Sequence, residues 1–102
     1  MAVTGATRSD VLPDVPAISE ALPGFEASAW NGIGAPKATP AAIVDRLSAN
    51  ITAILADTAF KAPIKDLGGE TVPMPSTQFA SFIAGETEKW AKVVKFSGAK
   101  VD

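Results

Sequence analysis

The residues of this chain able to do chemistry are few, and their spacing decides what each can do. Glu86 and Glu88 are the closest pair of carboxylates. General acid–base work needs two carboxylates that converge, and positions i and i+2 of a helix point apart. Glu88 instead pairs with Lys92 at i,i+4, a surface ion pair worth about 0.3–0.5 kcal/mol. Lys89, Lys92 and Lys95 recur every three residues and form a small basic stripe. The interleaved glutamates and the helix C-terminus account for that stripe without an anionic partner. Thr39 and Ser76 precede helical patterns, where free backbone N–H groups donate either to an anion or to the residue's own side-chain cap. Capping is the simpler reading. Asn50-Ile51-Thr52 matches a glycosylation sequon but lies inside a helical pattern, so it is set aside.

The chain has no histidine and no cysteine. That removes imidazole bases, the Ser-His relay, thiolate nucleophiles, disulfides and most zinc sites. The serines, threonines and lysines that remain have no base beside them in a recognisable motif. No Gly-rich phosphate loop is present. Neither an enzyme, nor a metal site, nor a cofactor is expected.

Trp30 and Asn31 stand apart. They lie in "ASAWNGIG", among small residues and beside two glycines. An aromatic ring with a polar tip, next to backbone that another surface can approach closely, suits the wall of a cleft. The competing reading is a core tryptophan. Trp90 shares a helical face with Phe79, Val93 and Val94 and is expected in the core.

The elements that must position these residues follow from punctuation and period. "AVT" at 2–4 is β-prone but short, and fits best as the last piece of a longer strand. Pro13, Pro16 and Pro23 stiffen residues 8–24, and Pro16 can open a short helix over Ala17–Leu22 that Pro23-Gly24 closes. Residues 25–36 alternate and predict an extended segment. Thr39-Pro40 opens a helix whose stripe is Ile43, Leu47, Ile51 and Ile54/Leu55. Asp57 caps a second helix bearing Phe60, Ile64 and Leu67, with a kink or 3₁₀ character expected at Pro63 and a stop at Gly68-Gly69. "ETVPM" at 70–74 reads as a short edge strand. Ser76 begins a long helix to about Ser97, with Gly98 as its stop.

Composition sets the outer limits. The 102 residues make one domain, which at this size buries roughly 60–68% of its unfolded surface. Nine basic and eleven acidic residues give a net charge of −2, against a nucleic-acid partner. No apolar run spans a bilayer. "MAVTGATRSD" lacks the basic-then-apolar pattern of a signal peptide, so the chain as given is expected in the cytoplasm.

The order of motifs is more specific than any one of them. "AVT…RS…LPDVP…E…PGFE…W.G..AP..TP..IV..L", closing in "E…W.KV.K.SG", resembles the C-terminal third of the Bug-type extracytoplasmic receptors of tripartite tricarboxylate transporters. The resemblance implies an α/β fold: a fragment of a two-lobed periplasmic-binding-protein fold, mainly three helices with short strands. It implies that residues 1–29 are a remnant of the second lobe and the Pro-rich interlobe crossing, and that residues 30–102 are the helical part completing the first lobe. It further implies a small carboxylate as ligand, membrane transporter subunits as partners, and a periplasmic location. Trp30 and Asn31 become candidate ligand-binding residues of the cleft.

Departures from the family pattern carry expectations of their own. Ala17 stands where the family often has Thr, so a Thr-x-x-Glu capping box with Glu20 is expected to be lost. Pro63 and Gly85 replace helix formers. The pieces the family pattern has upstream of "AVT" are not in this sequence, which suggests either a truncated reading frame or a cut piece of a longer protein, with little binding of its own. Apolar faces that have lost their cover are expected to drive self-association. A stand-alone oligomeric interaction module derived from the same family is the alternative.

Overall fold

A computed structural model describes residues 1–100; residues 101–102 lie outside the described part. The element order is a 3₁₀ turn at Ile18–Glu20, then α1 (Ala41–Ala56), α2 (Thr58–Asp66) and α3 (Ser76–Ser97). The long helices arise where period and punctuation agreed. Asp57 turns its side chain back to accept from the Ala59 N–H at 2.7 Å, capping α2 as expected. At the other end Gly68 takes φ 77°, a left-handed geometry that glycine reaches without a Cβ penalty. The Gly69 and Gly68 N–H groups then bond the carbonyls of Ile64 and Lys65, both at 2.9 Å, which is a Schellman closure. Gly98 ends α3 in the same left-handed region.

Several expected features resolve differently. Thr39 and Ser76 do not cap: Pro40 and Pro75 occupy the N-cap positions, and neither helix has a side-chain cap bond. Proline at that position leaves its carbonyl free to accept the first helical bonds, as Pro40 does from Ile43 and Val44. Helix α2 runs through Pro63 to Asp66 and keeps its α geometry. Pro63 lacks only the one N–H that would have bonded the Ala59 carbonyl.

The strands are the larger correction. Among the described residues there is no strand, only a parallel bridge between Val3 and Ala17. Residues 25–36 and 70–74 are extended or irregular chain without a ladder. A strand is defined by its neighbour, and these segments find little or none to pair with. The "AVT" segment does show how pairing begins. Val3 donates to Pro16 at 2.9 Å and accepts from Ile18 at 3.0 Å, while the Thr4 carbonyl accepts from Ala27 at 3.0 Å. Residues 2–4 are thus flanked by both proline-rich chain and the start of the extended segment.

Packing is thin. Ala17 is the one buried apolar residue among those described. The accessible surface is 8290 Å² for 10.4 kDa. A compact monomer of that mass would expose about 5,400 Å². The Cα radius of gyration is 16.4 Å, against about 13 Å for a compact chain of this length. Helices α1 and α2 pack on one another, and α3 makes no comparable helix–helix contact. On α1 the half-buried line is Val44, Ser48, Ile51 and Leu55, while Ile43, Leu47 and Ile54 stay exposed. The apolar band is wide enough for two partners, and only one is present. Trp90, expected in the core, is 40% exposed for the same reason.

Gly85 supplies a direct test of α3. A Cβ placed there meets nothing within 4 Å, and its φ is not in the left-handed region. Gly85→Ala is expected to stabilise the chain by about 1 kcal/mol, read as a higher urea midpoint at unchanged slope. A lower midpoint would mean that something fills that space.

Candidate functional site

The proline-rich segment is no loose linker. It folds back on residues 3–8 and is fastened at three points. The first is the Val3–Ala17 bridge. The second is the Ser19 hydroxyl, which donates to the Ala6 carbonyl at 2.9 Å. The third is Arg8, whose Nε and terminal nitrogen reach the two oxygens of Glu20 at 2.7 and 2.8 Å. Its other terminal nitrogen donates to the Pro13 carbonyl at 3.2 Å. A two-pronged guanidinium–carboxylate pair fixes direction as well as distance.

Glu20 also accepts from the Ala17 N–H at 3.0 Å. The capping box is therefore half kept: alanine cannot supply the forward bond, but the glutamate still makes the return bond. Arg8 first, and the Ala17 N–H second, hold the Glu20 carboxyl down at about 2. Sequence reasoning missed this pair. Twelve residues of irregular chain separate its members, and no periodicity connects them.

Beyond the loop the chain passes Pro23-Gly24 and runs extended to Trp30. The indole of Trp30 meets two rings of α3 edge-on. It lies 5.8 Å from Phe79 at 87° and 5.2 Å from Phe82 at 73°. The two phenylalanines stack at 6.2 Å and 15°. Such edge-to-face pairs add about 0.5–1.5 kcal/mol beyond the area they bury. Gly32 completes the contact: a Cβ there would collide with the Phe79 ring. The close approach anticipated for this glycine is to a side chain rather than to backbone.

Glu86 lies one turn beyond Phe82. Its side chain is only 12% exposed, on a helix that is otherwise largely bare. Its oxygens accept from the Trp90 indole N–H at 2.9 Å and pair with Lys89. Lys89 is the main cause, ahead of Trp90, that holds this carboxyl below the usual range. The Trp30 indole adds the last and weakest pull on it. The Lys89 ammonium also sits 5.7 Å from the centre of the Trp90 ring. By contrast, Glu88 and Lys92 pair at 2.8 Å with both side chains about three-quarters exposed, the solvated pair expected from their spacing.

Trp30 is thus 41% exposed, with its body on α3 and the remaining surface open. Asn31 beside it is exposed and makes no hydrogen bond among the described residues. Neither lines either of two surface depressions. One depression of 440 Å³ runs along α1 past Ile43, Arg46 and Leu47. Another of 410 Å³ separates Phe25–Ala27 from Lys89, Trp90 and Val93. Among the described residues no cluster of acids could hold a metal ion, and no helix is long and apolar enough to cross a membrane.

Comparison with known proteins places this arrangement. Residues 1–99 match the family described as tripartite tricarboxylate transporter family receptor. The chain belongs to that family. It is 40% identical over 96 residues to a UPF0065 protein from the tcbD-tcbE intergenic region of Pseudomonas sp. (strain P51), covering 92% of this chain and 29% of that protein. It is 34% identical over 102 residues to Protein BugT of Bordetella pertussis, covering 99% and 31%. Among solved structures it is similar to R. palustris Rpa4515 with adipate, at TM-score 0.81 and 32% identity over 96% of this chain and 33% of that one. It is also similar to the periplasmic binding protein BugD, at TM-score 0.78 and 34% identity over 97% and 34%. The chain therefore spans about a third of the length of the relatives it matches.

Closure of the loop by Arg8 and Glu20 is directly testable. Arg8 holds the charged carboxylate, so the contribution is fully present above the ordinary value of 4.5 and is lost as pH falls through about 2. A carbon-detected titration of the Glu20 carboxyl should give a pKa of about 2. Arg8→Ala should return it toward the ordinary carboxylate range. An unshifted Glu20 in the unmodified chain would show that the loop is not closed this way.

Proposed function

We propose that this chain is the C-terminal third of a solute-binding receptor for small carboxylates that feeds a tripartite tricarboxylate-type transporter. Residues 1–29 are read as the remnant of one lobe with the interlobe crossing, and residues 30–102 as the helical completion of the other. The periplasm is the compartment in which such a receptor works. The observation that carries the reading is the family match over residues 1–99 together with a third-length overlap on two solved structures. One of those structures is described with adipate and the other as a periplasmic binding protein.

Trp30 and Asn31 supply the cleft wall in this reading. The crossing leaves its fastened loop at Glu20 and reaches α3 at Trp30, where the ring is held on one side and open on the other. A ring held in this way presents an apolar wall at fixed position, and Asn31 adds an amide within one residue of it. Both suit the chain and head of a small carboxylate. The wall alone is not a site, so the isolated chain is read as binding little or nothing.

A second reading, a stand-alone module that works as an oligomer, is favoured by one observation. Exposed apolar side chains line α1, α2 and α3 together. Carboxylates that leave the melting temperature unmoved, beside a stable oligomer, would point to this module.

The receptor reading is tested by exchange. Residues 1–99 are grafted in place of the matching third of Rpa4515. The chimera is expected to fold and to bind adipate within about tenfold of its parent, a loss of no more than about 1.4 kcal/mol. Trp30→Ala in the chimera is expected to weaken binding further. A folded chimera that binds no adipate would contradict the proposal.

A further inference from the structure

We infer that Glu86 is the positioning residue for Trp30: its carboxylate forms the polar end of a socket whose apolar end is Phe79 and Phe82. The inference rests on the reading of Trp30 as cleft wall. It assigns a task to the four-residue spacing of Glu86 and Trp90, which the chemistry of the site otherwise leaves without one.

Three observations converge on this residue. Phe79, Phe82 and Glu86 stand at i, i+3 and i+7 of α3, the spacing of one helical face. Trp30 rests on the first two of them. Glu86 is 12% exposed, although an unpaired surface glutamate at this position would extend into water. Its oxygens are also oriented from behind, by the Trp90 indole at 2.9 Å and by Lys89. A carboxylate gripped by two donors of its own helix cannot swing away, so it presents a fixed acceptor edge beside the Phe82 ring.

The spacing has a physical cause. Four residues is one helical turn, which sets the Trp90 indole N–H over the Glu86 carboxylate. Lys89, three residues on, closes on the same group from the adjoining side. Together they convert a flexible glutamate into a rigid one. Trp30, arriving from the crossing, meets the two stacked rings, and the Glu86 edge lies one helical turn further along the same face. In the proposed socket the apolar body of the indole rests on these rings and its N–H is turned toward that edge, so that rotation of the indole is set as well as its place. Ahead of this contact, a 410 Å³ depression lies between Gly24–Ala27 and Lys89, Trp90 and Val93. The socket is therefore where the crossing is held, and the stretch before it is not pressed against the helix.

The test separates this role from ordinary packing and from the receptor reading. It uses 5-fluorotryptophan in the whole chain, with the two resonances assigned by Trp30→Phe and Trp90→Phe. Quenching of the Trp30 resonance by a soluble nitroxide, in the chain with both tryptophans, is read as a second measure. Glu86→Leu keeps the volume and helix propensity but has no acceptor; Glu86→Gln keeps an acceptor oxygen and loses the charge. Glu86→Leu is expected to shift the Trp30 resonance and to raise its quenching about twofold or more, while Glu86→Gln stays near the parent and Glu88→Leu leaves both unmoved. An unmoved Trp30 in Glu86→Leu, or an equal change in Glu86→Leu and Glu86→Gln, would overturn the inference. No ligand enters this measurement, so its failure is distinct from failure of the adipate-binding chimera.

Discussion

Apolar surface without a facing layer is the constraint on which the rest of this structure depends. A helix that packs on one side only must leave the other side of its stripe in water, and all three helices do so. Ile43, Leu47 and Ile54 on α1, Phe60 on α2, and Ile83, Trp90 and Val94 on α3 remain exposed. Each such side chain is worth about 1.5–3 kcal/mol when fully buried. The surface in excess of a compact chain is larger than the roughly 800 Å² per partner of a standard interface. A layer of this kind is stable as one half of a sandwich of helix and sheet, and it asks for the other half.

Within that constraint, order is kept by a few directional contacts rather than by a core. Arg8 and Glu20 close the proline-rich loop, and the Schellman turn at Gly68-Gly69 ends α2. Contacts among Trp30, Phe79 and Phe82 hold the extended segment to α3. The prolines shorten the list of conformations that residues 8–24 can take, and the ion pair selects among those left. This is how a segment with almost no buried side chains keeps a defined route from Val3 to Trp30. The same route carries the proposed function, since a wall is useful to a ligand only when its position is fixed.

The helices were legible because their signals are local. Proline before, glycine after and a 3.6-residue period between are read without knowing what packs where, and they located α1, α2 and α3 to within a residue or two. The extended course of 25–36 was legible from its alternation, but the edge strand at 70–74 did not form, because pairing needs a neighbour that composition does not reveal. Trp90 shows the same limit from the helical side. Its spacing with Phe79 and Val93 marks a face correctly, but not whether anything covers it. Trp30 was legible as unusual from its glycines and small neighbours, whereas its partners came from a helix fifty residues on. The spacing of Glu86 and Glu88 says nothing of the i,i+4 bond between Glu86 and Trp90, which depends on how the indole turns.

Sedimentation velocity of the 102-residue chain, from low to high micromolar concentration, tests the central claim most directly. Surface built to be covered should find cover, so the sedimentation coefficient is expected to rise with concentration as copies associate. A single monomeric species across the whole range, at high micromolar concentration as at low, would contradict the account.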